Sequence, residues 1–142
     1  MARKERAVDS VAEAYLTLLA ERGVEYLFAN SGTDFAPLIE VFAKAARTGA
    51  RVPKPILATH ENLALSMAHG WAIVTGCVPA VMLHVSVGTA NGVCGVFNAA
   101  RDNVPVLFTA GRSPLTEAGA AGGARCLHPL GAGDVRPGRH GA

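Results

Sequence analysis

Four short polar segments carry the side chains best suited to chemistry: Asn30-Ser31-Gly32-Thr33, Thr59-His60-Glu61, His84-Val85-Ser86 and Gly111-Arg112-Ser113. Each follows a short apolar run. Glu61 stands where such a run gives way to a helical pattern, so its carboxylate can act as a general acid or base, or simply favour the positive end of a helix. His84 closes another run, where an imidazole can move a proton or be a satisfied histidine at a strand end. Zinc-protease chemistry fails on spacing, because Ala64 occupies the place of the second histidine in H-E-x-x-H. His84-Val-Ser-Val-Gly88 has the strand, turn and helix context of the G-x-S-x-G nucleophile elbow, but His84 replaces the glycine that permits close backbone approach. A serine hydrolase built on Ser86 is therefore an alternative from a different class. Gly88, Gly92 and Gly95 do not form the dinucleotide fingerprint G-x-G-x-x-G, and helix packing through small residues accounts for them.

The elements that must position these groups alternate. Ser10 and Glu13 form a capping-box pattern ahead of a helix with Val11, Ala14, Tyr15, Leu18 and Leu19 on one face, stopped at Gly23. Glu25–Ala29 reads as a buried strand. Asp34 is placed to cap a second helix with Phe35, Leu38, Ile39 and Phe42 on a face and Pro37 in its first turn. Ile56–Ala58 reads as a second strand, after which Thr59 caps a third helix whose apolar face is Leu63, Met67, Trp71 and Val74. Pro79–Val85 is a third strand, Gly88–Ala100 a helix of small residues suited to close packing or to facing a ligand, and Val104–Ala110 a fourth strand. Apolar strands separated by helices imply an α/β fold, a doubly wound parallel sheet with helices on both faces. Ligands collect outside the carboxyl ends of such strands, and the four polar segments lie there.

Composition narrows the classes. The chain has 142 residues, enough for one domain with a sizeable core, and half of them are hydrophobic. A net charge of +2, with basic residues scattered or terminal, argues against disorder and against nucleic-acid binding. Cys77, Cys94 and Cys126 have neither zinc-type nor C-x-x-C spacing and suit a reducing cytoplasm. No run is long and apolar enough for a membrane span, and no apolar segment follows the charged start to make a secretory signal.

Three blocks taken together, YLFANSGTDF, THENLALSMAHGWAIVTG and LHVSVGTANGVCGVFNAARDNVPVLFTAG, resemble the amino-terminal pyrimidine-binding domain of thiamine-diphosphate-dependent enzymes. The branch is that of acetolactate synthases and 2-oxo acid decarboxylases such as benzoylformate decarboxylase, and the match covers roughly residues 8–118. The resemblance implies that Glu61 is the acid bonded to the aminopyrimidine ring nitrogen, where sharing a proton lets the neighbouring amino group take the thiazolium proton. It implies that Gly88, Thr89 and Asn91 lie against the pyrimidine and that His84 is an active-site histidine, although Val85 departs from the family's serine. Asn30, Ser31, Gly32 and Thr33 resemble the N-P-G-S loop over the reacting carbon, with Ser31 in place of proline.

The family's diphosphate and magnesium motif, G-D-G followed by an asparagine, has no counterpart here, and no metal ligands are assigned. In the family it belongs to a carboxy-terminal domain, and the cofactor lies between one subunit's pyrimidine domain and its partner's diphosphate-binding domain. The resemblance therefore implies a thiamine diphosphate-binding fragment, inactive alone, acting on a 2-oxo acid with Mg2+ when complete as a homodimer or homotetramer. A pyrimidine-domain subunit of a split enzyme is the alternative within the family. Residues 1–120 are expected to form this domain, and 121–142, rich in Gly, Ala, Arg and Pro, a disordered tail. Back-translated with chosen codons and shifted by one base, His128–Gly141 reads IHWAQEMFDQAGM, which resembles the family's next segment, so the tail is expected to be frameshifted.

Overall fold

The computed structural model describes residues 7–112. The expectations for the tail, its disorder and its frameshift, lie outside these residues.

Ser10 opens α1 (Val11–Glu21) by accepting a hydrogen bond from the Glu13 backbone N–H at 3.1 Å. The Glu13 carboxylate accepts from the Asp9 N–H instead of the Ser10 N–H, so the capping box is shifted by one residue. Strand β1 (Tyr26–Asn30) runs into a short 3-10 turn at Thr33–Phe35 and then α2 (Ala36–Thr48), with Pro37 in the first turn and Gly49 ending the helix at φ 71°. Strand β2 (Lys54–Leu57), α3 (Glu61–Thr75), β3 (Ala80–Leu83), α4 (Val85–Arg101) and β4 (Leu107–Ala110) follow.

The sheet is entirely parallel in the order β2-β1-β3-β4. Pro55 is tolerated in β2 because this is an edge strand. The N–H groups of Lys54 and Ala58 reach β1, and the alternation puts the proline nitrogen on the open side. Strand alternation divides the core: Leu27, Ala29 and Ala80 meet α1 and α2, whereas Phe28, Val81 and Leu83 meet α3. With helices on both faces, the doubly wound reading holds. The chain leaves β1 toward β2 on one side and reaches β3 on the other, so the β1–β3 boundary is the topological switch point.

Three helix faces differ from their sequence periodicity. In α1 the buried residues are Leu16, Leu19 and Ala20, while Val11 and Leu18 are exposed. In α2 Leu38, Val41 and Ala45 are buried and Ile39 is exposed. The largest difference is in α3, which buries Glu61, Ala64, Leu65, Ala68 and Ala72 and leaves Leu63, Met67 and Val74 in solvent. Of the anticipated face only Trp71 packs inward, edge-on to Tyr26 at 4.6 Å. Alanines at i, i+4 and i+8 let α3 approach the sheet closely, so the large residues mark its outer side.

Candidate functional site

The site lies at the carboxyl ends of β1, β2 and β3 and consists of two adjoining clusters. The first is built around Glu61. His60, in extended conformation, caps α3 by accepting the Asn62 N–H on Nδ1, a role anticipated for Thr59 one residue earlier. Glu61 is thereby the first helical residue, pointed inward and only 9% exposed. Among the described residues no hydrogen bond is made by its carboxylate, and the His60 ring lies 3.9 Å away. Opposite is Gly88 of α4, where a Cβ would stand 3.6 Å from Glu61 Oε1 and 3.3 Å from Leu83. The glycine keeps a shallow space open beside a buried acid.

The second cluster is built around His84. Its Nδ1 lies 2.6 Å from Asp34 Oδ1. Its ring packs on Gly32, where any side chain would collide with it. The clusters are one helical turn apart, since the Gly88 N–H donates to the His84 carbonyl at 2.8 Å. Asn30 locks the ends of β1 and β2 together by donating from its side-chain amide to the Ala58 carbonyl at 3.0 Å. That bond fixes the segment leading into Glu61.

Not every residue singled out from sequence converges here. Thr89 turns its hydroxyl back to the Val85 carbonyl at 2.7 Å, and Asn91, Ser31 and Thr33 are exposed. Gly92 and Gly95 serve packing: a Cβ at Gly92 would press on Leu83 and Leu65, and the Gly95 N–H donates to the Asn62 side chain at 3.2 Å. Asp34 was legible only as a helix cap, but Phe35 occupies the cap of α2 and no side chain caps it. The available signal was an acid just past the switch-point strand.

The turn from β3 into α4 is strained at Val85, whose φ of 39° is a genuine outlier for a β-branched side chain. The elbow position thus presents a valine. Ser86 sits beyond it, exposed on the first turn of α4, so the geometry gives the hydrolase alternative no nucleophile at the turn.

Residues 9–132 match the family model described as thiamine pyrophosphate enzyme, N-terminal TPP binding domain. Over 105 residues the chain is 31% identical to the benzoylformate decarboxylase of Pseudomonas aeruginosa, covering 74% of this chain and 19% of that protein. It is 31% identical to the acetolactate synthase large subunit of Haemophilus influenzae over 103 residues, 72% of this chain and 17% of that one. Among solved structures, the thiamine diphosphate-dependent 4-hydroxybenzoylformate decarboxylase of Rhodococcus jostii RHA1 superposes with a TM-score of 0.63 at 28% identity, over 73% of this chain and 19% of its own. The chain spans about a fifth of the length of the curated relatives it matches.

Proposed function

The chain belongs to the thiamine pyrophosphate enzymes, as their N-terminal TPP-binding domain, and from that premise we propose that it supplies the pyrimidine-holding half of a cytoplasmic enzyme acting on a 2-oxo acid. The observation that carries this is Glu61, a buried carboxylate without a hydrogen-bond partner among the described residues, facing the space that Gly88 leaves open. An aminopyrimidine ring nitrogen is a fitting partner for such an acid, and the glycine lets a flat ring approach backbone. The residues present therefore fit the pyrimidine end of the cofactor. They do not fit its diphosphate end: among the described residues no three His, Cys, Asp or Glu side chains gather as metal ligands. Mg2+ and the diphosphate are assigned to a diphosphate-binding domain of a partner subunit.

When bound, thiamine diphosphate supplies a thiazolium carbon that adds to the 2-oxo acid and acts as an electron sink. Glu61 holds and returns a proton at the carboxyl oxygen facing the ring nitrogen. The bond from Asn30 to Ala58 keeps the approach to that acid rigid, so its distance to the ring is set before binding. The loop of Asn30, Ser31, Gly32 and Thr33 would face the substrate, with Ser31 and Thr33 exposed. On α4, which also carries Thr89 and Asn91, Gly88 would admit the ring, and His84 would move a proton on substrate or intermediate.

An outer surface supports the partner. Val74 is 84% exposed and Phe97 65%, with Leu63, Met67, Ile73, Val87 and Val93 also exposed on α3 and α4. A second protein surface, in a homodimer or homotetramer, would cover them. No helix among the described residues is long and apolar enough to cross a membrane, and Cys77 and Cys94 are free thiols, which suits the cytoplasm.

The test joins residues 1–112 to the remaining segment of the Pseudomonas relative and follows hydrogen exchange at the thiazolium carbon. Glu61→Gln should retain the cofactor but slow exchange by about 10²-fold or more, because an amide cannot give and recover the proton. Unchanged exchange would remove Glu61 and the reading with it.

A further inference from the structure

Asp34 is the one member of the site with no assigned task. It does not cap α2, and its carboxylate reaches across the switch point to the residue after β3. Oδ1 is 2.6 Å from His84 Nδ1, while Oδ2 is buried without a hydrogen-bond partner among the described residues. Oδ2 lies against Gly111, just past β4, where any Cβ would overlap the carboxylate. Neither Gly111 nor Gly32 has a positive φ, so both positions need the missing side chain rather than glycine's backbone freedom. Gly32 makes room for the imidazole and Gly111 for the acid. Three loops, after β1, β3 and β4, are therefore shaped around one Asp–His pair.

We propose that Asp34 is a positioning residue that fixes the tautomer and direction of the His84 ring. An ionised carboxylate only accepts hydrogen bonds, so at 2.6 Å the Nδ1 atom must carry the proton. Nε2 is then the nitrogen left to accept or, once protonated, to donate a proton. Packing of the carboxylate against Gly111 and of the half-buried ring against Gly32 restricts a flip. In catalytic triads a buried aspartate does the same for a histidine without itself gaining the proton. The use of this arrangement rests on the thiamine diphosphate reading, but the arrangement itself does not.

The test is a long-range proton–nitrogen correlation spectrum of the 142-residue chain with 15N-labelled histidine, at a pH of about 9 where ordinary imidazoles are neutral. His84, assigned by loss of its signals in His84→Gln, should show the Nδ1–H tautomer alone. Asp34→Ala removes the acceptor, so the proton should no longer be held on Nδ1 and the ring should show Nε2–H or an averaged tautomer. A wild-type ring with Nε2–H or an averaged tautomer, or a ring unaltered in Asp34→Ala, would overturn the proposal. If Asp34→Ala does not fold, Gly111→Ala replaces it. Crowding the carboxylate should then speed exchange of the Nδ1 proton at least tenfold, and an unchanged rate would count against the pairing. Neither result depends on cofactor, so failure here is distinct from failure of the Glu61 experiment.

Discussion

The two faces of the sheet are packed on opposite plans. Against α1 and α2 the large side chains come from the helices, with Leu16, Leu19, Leu38 and Val41 joined by Phe35 of the 3-10 turn and clustered with Leu27, Ala29 and Ala80 of the sheet. Against α3 and α4, the helices contribute mainly Ala64, Ala68, Ala72, Gly88, Gly92, Gly95 and Ala99, with Leu65 and the partly buried Trp71 as the large inward exceptions. Leu63, Met67, Ile73, Val74, Val87, Val93 and Phe97 of α3 and α4 are exposed. A helix layer with small residues inward and large apolar residues outward is suited to lie between two surfaces, and the second is missing from this chain's own described residues. The face that carries Glu61 and Gly88 is thus the one whose helices put small residues on the sheet.

If that contrast is correct, the two faces should answer mutation differently. The largest effect belongs to the first face: Leu16→Ala, at a position with 0% exposure, should cost about 2–5 kcal/mol, because removing a buried leucine loses transfer energy and leaves a cavity. Urea denaturation reads it directly. A loss below about 1 kcal/mol would mean the first face is not packed on large side chains as described.

On the second face the damaging direction is small to large. Gly95→Ala should improve helix propensity by roughly 1 kcal/mol, yet its Cβ would sit 2.7 Å from Leu65 Cβ, an atom held next to the backbone. Overpacking should outweigh propensity, for a net loss of about 1–2 kcal/mol. A stabilised Gly95→Ala protein would show that α4 can move off Leu65, and the close-packing half of the contrast would fall.

The same contrast explains what was legible beforehand. Alternating elements, the Ser10 cap and the start of α3 near Glu61 follow from local chemistry, and so does the class of fold. Helix faces were harder, because periodicity finds large apolar residues and assumes they face the core. That fails wherever alanine and glycine are the buried set, as in α3. Among the candidate site residues, Glu61, Gly88 and His84 were singled out by position and resemblance, and the structure brings them together at the strand ends. The Asp34–His84 pair was not, since it joins residues 50 apart in sequence and Asp34 has a plausible local task as a cap. Strain at Val85 is equally silent in composition.

The outer surface supplies the next test. Val74→Ser with Phe97→Ser should change monomer stability by only about 0.5 kcal/mol, since both side chains are exposed. The same pair should lower self-association in sedimentation, or weaken capture of a diphosphate-binding domain. Lost stability without a change in association would place these residues in the chain's own core.

The smallest effect returns to the first face, at its rim. Lys44 of α2 donates to Asp9 Oδ2 and Glu13 Oε1, both at 2.7 Å, and so ties α2 to the start of α1. Its hydrogen bonds hold both carboxyls below their ordinary values of 3.8 and 4.5, and they hold the ammonium above 10.5. A depressed carboxyl stabilises the fold above its unfolded pKa and loses that contribution as pH falls through the folded one. A raised ammonium stabilises it below its unfolded pKa and loses that contribution as pH climbs through the folded one. The cluster's contribution should therefore form a plateau from about pH 5 to 10 that fades toward both extremes. Because the groups are solvent-accessible, the plateau should be low and should shrink in molar salt. Lys44→Met should lower the denaturation midpoint slightly across that window, and the difference from the parent should shrink as acid neutralises the carboxyls. A difference that persisted unchanged at pH 2 would assign Lys44 to packing by its aliphatic stem, and the first face would then be tied at its rim by the same apolar contacts that fill its centre.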